Sequence, residues 1–148
     1  MNAEAVKSAA AKALAPETLI FSLLHAAYAL GDRLENRLAS VGSSLAKHGV
    51  LTTLVDVGEP VALSELASFQ GCVRSNITQL VDRLEADGLV RRIDDPQDRR
   101  SVRAMLTPAG RRRQTEGAAE IGRVAADFAA SLSARDRKVL DRLFLAIE

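Results

Sequence analysis

The chain has 148 residues, 47% of them apolar, and a formal net charge of +1. That is long and apolar enough for one domain with a packed core, which excludes wholesale disorder. A single cysteine excludes an internal disulfide and fits a reducing compartment. Met1–Ala15 lacks the apolar run of a signal peptide and no run reaches membrane-spanning length, so a cytoplasmic protein with no membrane partner is expected. Aromatic residues make up 3% and tryptophan is absent. Ala, Leu and Val must carry the core, which suits close-packed helices.

The near-neutral total hides a local excess. Arg74–Arg113 holds ten basic residues against six acidic ones, so the rest of the chain is net acidic. A basic stripe on a neutral protein is the footprint of phosphate contact, although a merely solvated surface has the same composition.

In chain order, Asn2–Ala15 is an Ala-rich arm, helical or frayed, ended by Pro16. Pro16-Glu17 opens a first helix. Leu19, Ile20, Leu23, Leu24, Ala27, Leu30, Leu34 and Leu38 recur along it at three- and four-residue steps, to about Ala39. A second helix over Ser43–Val57 turns Leu45, Val50, Leu51, Leu54 and Val55 inward, and Gly58 and Pro60 stop it. A third, Leu63–Phe69, is short, with Leu66 and Ala67 on the core. Ala62 at its N-cap and Glu65 at N3 make half a capping box. Gly71 ends it where a positive φ is expected.

The fourth helix spans Val73–Asp87. At ~100° per residue, Val73, Ile77, Leu80, Val81 and Leu84 share one face. Ser75, Thr78, Gln79 and Asp82 share the opposite one, flanked by Asn76 and Arg83. Short hydrogen-bonding side chains of this kind can approach base edges closely. Asp87-Gly88 closes the helix.

Two short strands follow, Leu89–Ile93 and Val102–Leu106, joined by Asp94–Ser101, a loop too long for a two-residue turn. Thr107 as N-cap and Pro108 at N1 start a fifth helix. It carries Ile121, Val124, Ala125 and Phe128 on one side, to about Leu132. Ser133-Ala134-Arg135-Asp136 is a capping-box variant that opens a last helix, with Val139, Leu140, Leu143, Phe144 and Ile147 inward. Leu63–Gly110 is therefore a helix-turn-helix with a wing, and the flanking helices are scaffolding.

These residues resemble the MarR family of bacterial transcription regulators. The resemblance rests on Gly71–Glu85 and on Asp95-Pro-Gln-Asp-Arg-Arg-Ser followed by Leu106-Thr-Pro-Ala-Gly-Arg. By order and length of elements it covers Leu19–Ile147. It implies a mainly α fold in which a winged helix-turn-helix lobe with a small antiparallel β-wing is fused to a helical dimerisation region. Residues 1–16 would be an N-terminal arm and 17–148 one MarR-type domain. Within it, 17–42 and 108–148 would supply the dimerisation helices and 43–107 the DNA-binding lobe. The resemblance further implies a homodimer on double-stranded DNA, reading a pseudo-palindromic operator in successive major grooves. Family members usually repress, and release DNA when a small aromatic or phenolic ligand, or an oxidant, acts on them. Sequence does not separate repression from activation.

Carried over by position, Arg74, Asn76, Thr78, Gln79 and Arg83 are candidates for groove contacts. Ser64 and Ser75, with the amides of their helices, are candidates for phosphates. Arg99 or Arg100 at the wing tip suits the adjacent minor groove. Asp98 and Arg100 match the family's wing pair, in which a carboxylate orients an arginine through a forked hydrogen bond. The competing reading is an ordinary surface salt bridge. Gln79 stands where a basic residue is frequent, and its amide suits adenine.

Cys72 is either a small core residue in the turn or a redox sensor helped by the start of the fourth helix and by Arg74. His25, Tyr28 and His48 are candidates to orient a phenolate or carboxylate in the family's ligand cleft, against the plainer reading of ordinary structural or exposed histidines. One Cys and two His make no metal-ligand cluster. No catalytic combination or Gly-rich phosphate loop is present, so neither an enzyme nor a cofactor is expected. The rival to a DNA-binding regulator is a dimeric adaptor for another protein, with a winged helix that has no DNA activity.

Overall fold

The structure, a computed structural model, describes residues 15–71, 74–98 and 100–147, with Arg74 described by its backbone. Among these residues six helices and three short strands follow one another: α1 Pro16–Ala39, α2 Leu45–Val57, β1 Val61–Ala62, α3 Leu63–Phe69, α4 Arg74–Ala86, β2 Val90–Asp94, β3 Val102–Leu106, α5 Pro108–Ala130 and α6 Ala134–Ile147. Contacts divide the chain into two compact units between Arg33 and Leu34. The first unit contains the N-terminal turns of α1, where Leu19, Ile20, Phe21, Leu23, Leu24 and Tyr28 are all exposed.

The second unit has one core, built from Val50, Leu51 and Leu54 of α2, Leu66 of α3, Ile77, Val81 and Leu84 of α4, and Val90 and Ala104 of the sheet. Each fully buried Leu, Ile or Val side chain of this kind contributes roughly 1.5–3 kcal/mol. Local chemistry sets the ends of the elements. Ser44 caps α2, its Oγ accepting the Lys47 amide at 3.2 Å. Leu45, expected inward, is 36% exposed because it stands in the first turn, ahead of the stretch of α2 that meets the core. Ala62 at the start of α3 has no side-chain acceptor, so only the Glu65 half of the capping box forms, its Oε2 accepting the Ala62 amide at 3.1 Å. Gly71 (φ +58°) and Gly88 (φ +70°) turn the chain after α3 and α4, a conformation that costs a residue with a Cβ about 1–2 kcal/mol.

The sheet is antiparallel in the order β1-β3-β2. Val61–Ala62, which the sequence did not mark as a strand, pairs with Ala104 and Arg103, so the β-wing has a third strand at its base. In the hairpin Val90 faces Leu106 and Arg92 faces Ala104. Thr107 caps α5, accepting the Gly110 amide at 3.0 Å and donating to the Gly88 carbonyl at 2.8 Å. The two bonds tie the start of α5 to the turn after α4.

At α6 the expected capping box is reciprocal. The Asp136 amide donates to Ser133 Oγ at 3.2 Å, and the Ser133 amide to Asp136 Oδ2 at 3.1 Å. Bonds from the Ser133 hydroxyl and amide hold the Asp136 carboxyl below its ordinary 3.8. The inward face expected for α6 is not inward: Val139, Leu143, Phe144 and Ile147 are exposed, Phe144 at 54%. The described chain offers no apolar surface that covers them. No helix among the described residues is long and apolar enough to cross a membrane.

Candidate nucleic-acid interface

Amphipathicity fixes how α4 lies. With Ile77, Val81 and Leu84 fully buried, Ser75, Asn76, Gln79, Asp82 and Arg83 are exposed and Thr78 is half-buried. The helix forms a ridge between two open grooves. One, of about 540 Å³, is lined by Leu45, Ala46, Gln70, Asn76, Gln79, Leu80 and Arg83. The other, of about 340 Å³, is lined by Leu63, Thr78, Asp82, Arg92, Arg100 and Val102. Asn76, Gln79 and Arg83 thus line one groove, and Thr78 and the wing residue Arg100 line the other. Ser64 is exposed on α3, where its carbonyl accepts the Ser68 hydroxyl at 3.2 Å.

The wing is held at its base. Asp95, 7% exposed, accepts the Gln97 amide at 2.9 Å and Arg103 Nε at 2.7 Å. Arg103 Nη1 also donates to the Pro60 carbonyl at 3.1 Å, next to β1. The Gln97 amide and then the Arg103 guanidinium hold the Asp95 carboxyl below its ordinary 3.8. In turn the hydrogen bond to Asp95 raises the Arg103 guanidinium above its ordinary value. Asp98 behaves differently: its Oδ1 accepts the Arg100 amide at 3.0 Å, and its carbonyl accepts the Ser101 amide at 2.8 Å.

Among the described residues the wing's carboxylate–guanidinium pair is therefore Asp95 with Arg103, while Asp98 meets Arg100 through the Arg100 amide. Asp98 lies in the loop, where the short Asp side chain bonds the backbone two residues on. Asp95 sits where the ladder closes, its amide bonded to the Ser101 carbonyl at 3.1 Å. The Arg100 side chain is exposed and forms no ion pair among the described residues.

Arg92 was not singled out from the sequence, yet it joins the wing to α4. Its guanidinium pairs with Asp82, lies 3.6 Å from Glu85 Oε2 and donates to the Thr78 carbonyl at 3.2 Å. Its amide donates to Glu85 Oε1 at 2.8 Å. The signal was available: two acids three residues apart on one flank of α4, followed by a strand that carries an arginine.

Away from α4, His48 is buried. Its Nε2 shares a hydrogen bond with Thr52 Oγ1 at 3.3 Å, and Thr52 Oγ1 also accepts from Gln114 Nε2 at 3.4 Å. His48 Nδ1 lies against Gly117 and has no hydrogen-bond partner among the described residues, and the same holds for Glu120 Oε2. Burial pushes His48 below its ordinary 6.5. Glu120 is also buried; it pairs with Arg123 through one oxygen and approaches Arg37 at 3.7 Å through the other. His25 and Tyr28 are exposed on α1. Cys72, Arg99, the Arg74 side chain and residues 1–14 of the arm lie outside the described residues. Among the described residues no cluster of His, Cys and acidic side chains could hold a metal ion.

Residues 44–102 match the family model of the MarR family. By sequence, YsmB of Bacillus subtilis, an uncharacterized helix-turn-helix-type transcriptional regulator, is 39% identical over 62 residues, 42% of each chain. The helix-turn-helix-type transcriptional regulator PrsX of Escherichia coli is 34% identical over 80 residues, 53% of this chain and 48% of that protein. The matched stretch thus spans less than half the length of these relatives. Among solved structures, Sco3205 of Streptomyces coelicolor, a MarR family transcriptional regulator in complex with DNA, superposes with a TM-score of 0.77 at 28% identity, over 92% of this chain and 88% of that one. A polar-faced α4, a three-stranded wing and these likenesses together make the chain similar, over residues 44–102, to the MarR family of winged helix-turn-helix transcriptional regulators.

Proposed function

We propose that this chain is a sequence-specific DNA-binding transcriptional regulator: a homodimeric repressor, released from a pseudo-palindromic operator by a small ligand. The observation that carries the reading is the α4 ridge, whose small polar side chains stand outward between two grooves while Arg100 lies on the wing beside it. Asn76, Thr78, Gln79 and Arg83 read base edges, with Arg74 beside them. Ser64, Ser75 and Asp98 help seat the backbone, and Arg99 and Arg100 enter the flanking minor groove. The solved complex of Sco3205 with DNA, on a like fold, supports this. The regulator then works in the compartment that holds the chromosome.

Two further observations support the finer parts. Exposed apolar side chains on α1 and α6, among them Phe21 at 69% and Leu145 at 75%, are what a helical dimer interface would bury. His48 Nδ1 and Glu120 Oε2, buried without hydrogen-bond partners among the described residues, supply polar groups for a small aromatic or phenolic effector. His25 and Tyr28 remain candidates for the same role. Repression is the sign that the family resemblance favours.

Salt titration tests the reading. The wild-type chain should bind duplex DNA and lose affinity steeply between about 50 and 200 mM salt. Arg100→Ala should bind more weakly, with the slope against log salt reduced by about one, and with its mass in solution unchanged. No duplex binding by the wild type at about 50 mM salt would favour the protein-binding adaptor instead.

A further inference from the structure

Asp82 poses an electrostatic problem. It sits on the outward side of α4 with its side chain 52% exposed, on the flank where Thr78 and Arg100 line a shared groove. A bare carboxylate there would repel the phosphate backbone. It would also offer Arg100 a partner within the protein, drawing that guanidinium away from DNA. Arg92 answers both. Its own side chain, 27% exposed, lines the same groove and is less open to solvent than that of Asp82. From there it pairs with Asp82, lies 3.6 Å from Glu85 and donates to the Thr78 carbonyl at 3.2 Å.

The anchoring is two-sided. The Glu85 carboxylate accepts the Arg92 amide at 2.8 Å, and Arg92 is in register with the buried Ala104 of β3. One arginine thus grips α4 at residues 78, 82 and 85, three positions along one helical flank, and fastens them to the β2–β3 hairpin of the wing. A guanidinium can do this because its donors form a planar fork that reaches several acceptors at once; an ammonium has no such fork.

We propose that Arg92 is a positioning residue for DNA recognition: it sets the seat of α4 against the wing and cancels the Asp82 charge, so that Arg100 stays available to DNA. The proposal rests on the DNA-binding reading above, and the experiment separates the two. The probe is the duplex that the wild-type chain retains from a random pool. Failure of the wild type to retain any duplex would end the parent reading. With a retained duplex in hand, and unfolding followed first to show that each variant is folded, Arg92→Met should lower affinity about tenfold and flatten the salt slope.

Asp82→Asn in the otherwise wild-type chain should change affinity little, about threefold at most, and in the Arg92→Met background should recover most of the loss, because contacting residues couple. Arg92→Lys, which keeps the charge and loses the fork, should fall between wild type and Arg92→Met. Wild-type affinity in Arg92→Met would overturn the proposal. So would additive effects of the two substitutions, since Arg92 would then act alone. Wild-type behaviour of Arg92→Lys would overturn the seating half.

Discussion

Arg103 and Asp95 close the base of the wing: Nε donates to Oδ2 at 2.7 Å, and the same guanidinium reaches back to the Pro60 carbonyl at 3.1 Å. A single side chain therefore joins the loop of the hairpin to the residue that precedes β1. The Asp95 carboxyl, held below its ordinary 3.8 first by the Gln97 amide and then by Arg103, is stabilising only while ionised. Its contribution is complete above that ordinary value and is lost as pH falls through the lowered one. In urea titrations, the difference in midpoint between wild type and Asp95→Asn should be large at about pH 7 and shrink below about pH 3. An unchanging difference would mean that the pair does not stabilise the wing through its charge.

Two glycines of α5 should respond oppositely to alanine. A Cβ at Gly110 would run into the Leu89 carbonyl, and backbone cannot swing aside. Gly110→Ala should destabilise by about 1–3 kcal/mol, the usual cost of overpacking. At Gly122 a Cβ meets nothing within 4 Å, and the helix gains the alanine preference, about 0.5–1 kcal/mol. Thermal unfolding of the two variants checks both signs.

His48 makes stability fall on mild acidification. Burial pushes it below 6.5, so the unfolded chain takes up a proton that the folded chain resists. Stability is therefore complete above 6.5 and falls as pH drops from there toward the lowered value. The denaturation midpoint should decrease between about pH 7 and pH 5, and His48→Leu should remove most of that decrease. A wild-type midpoint that is flat over this interval would contradict the account.

Much of this was legible in the residues because it is local. The apolar period of α4, the Thr107-Pro108 start of α5 and the Ser133–Asp136 box each lie within one or two helical turns; the structure shows the last two as read, and the first from Ile77 to Leu84, with Val73 outside the described residues. What was not legible depends on distance in sequence. A charge run names its members and not their partners. Asp95 was taken as one residue of a wing motif, while its mate Arg103 stands eight residues on. Arg92 reaches fourteen residues back to the Thr78 carbonyl, through a strand register that no local pattern prints. β1 is two residues long, too short for alternation to mark. The face of α6 misled for a physical reason: periodicity says that a stripe will be covered, and does not say whether by the same chain or by another.

The most direct measurement of the central claim is to sequence the duplexes that the wild-type protein retains from a random pool. The account predicts two related half-sites in inverted orientation, with centres about one helical turn, roughly 10 base pairs, apart. Retention of no sequence above the starting pool, or of a single half-site with no inverted mate, would contradict it.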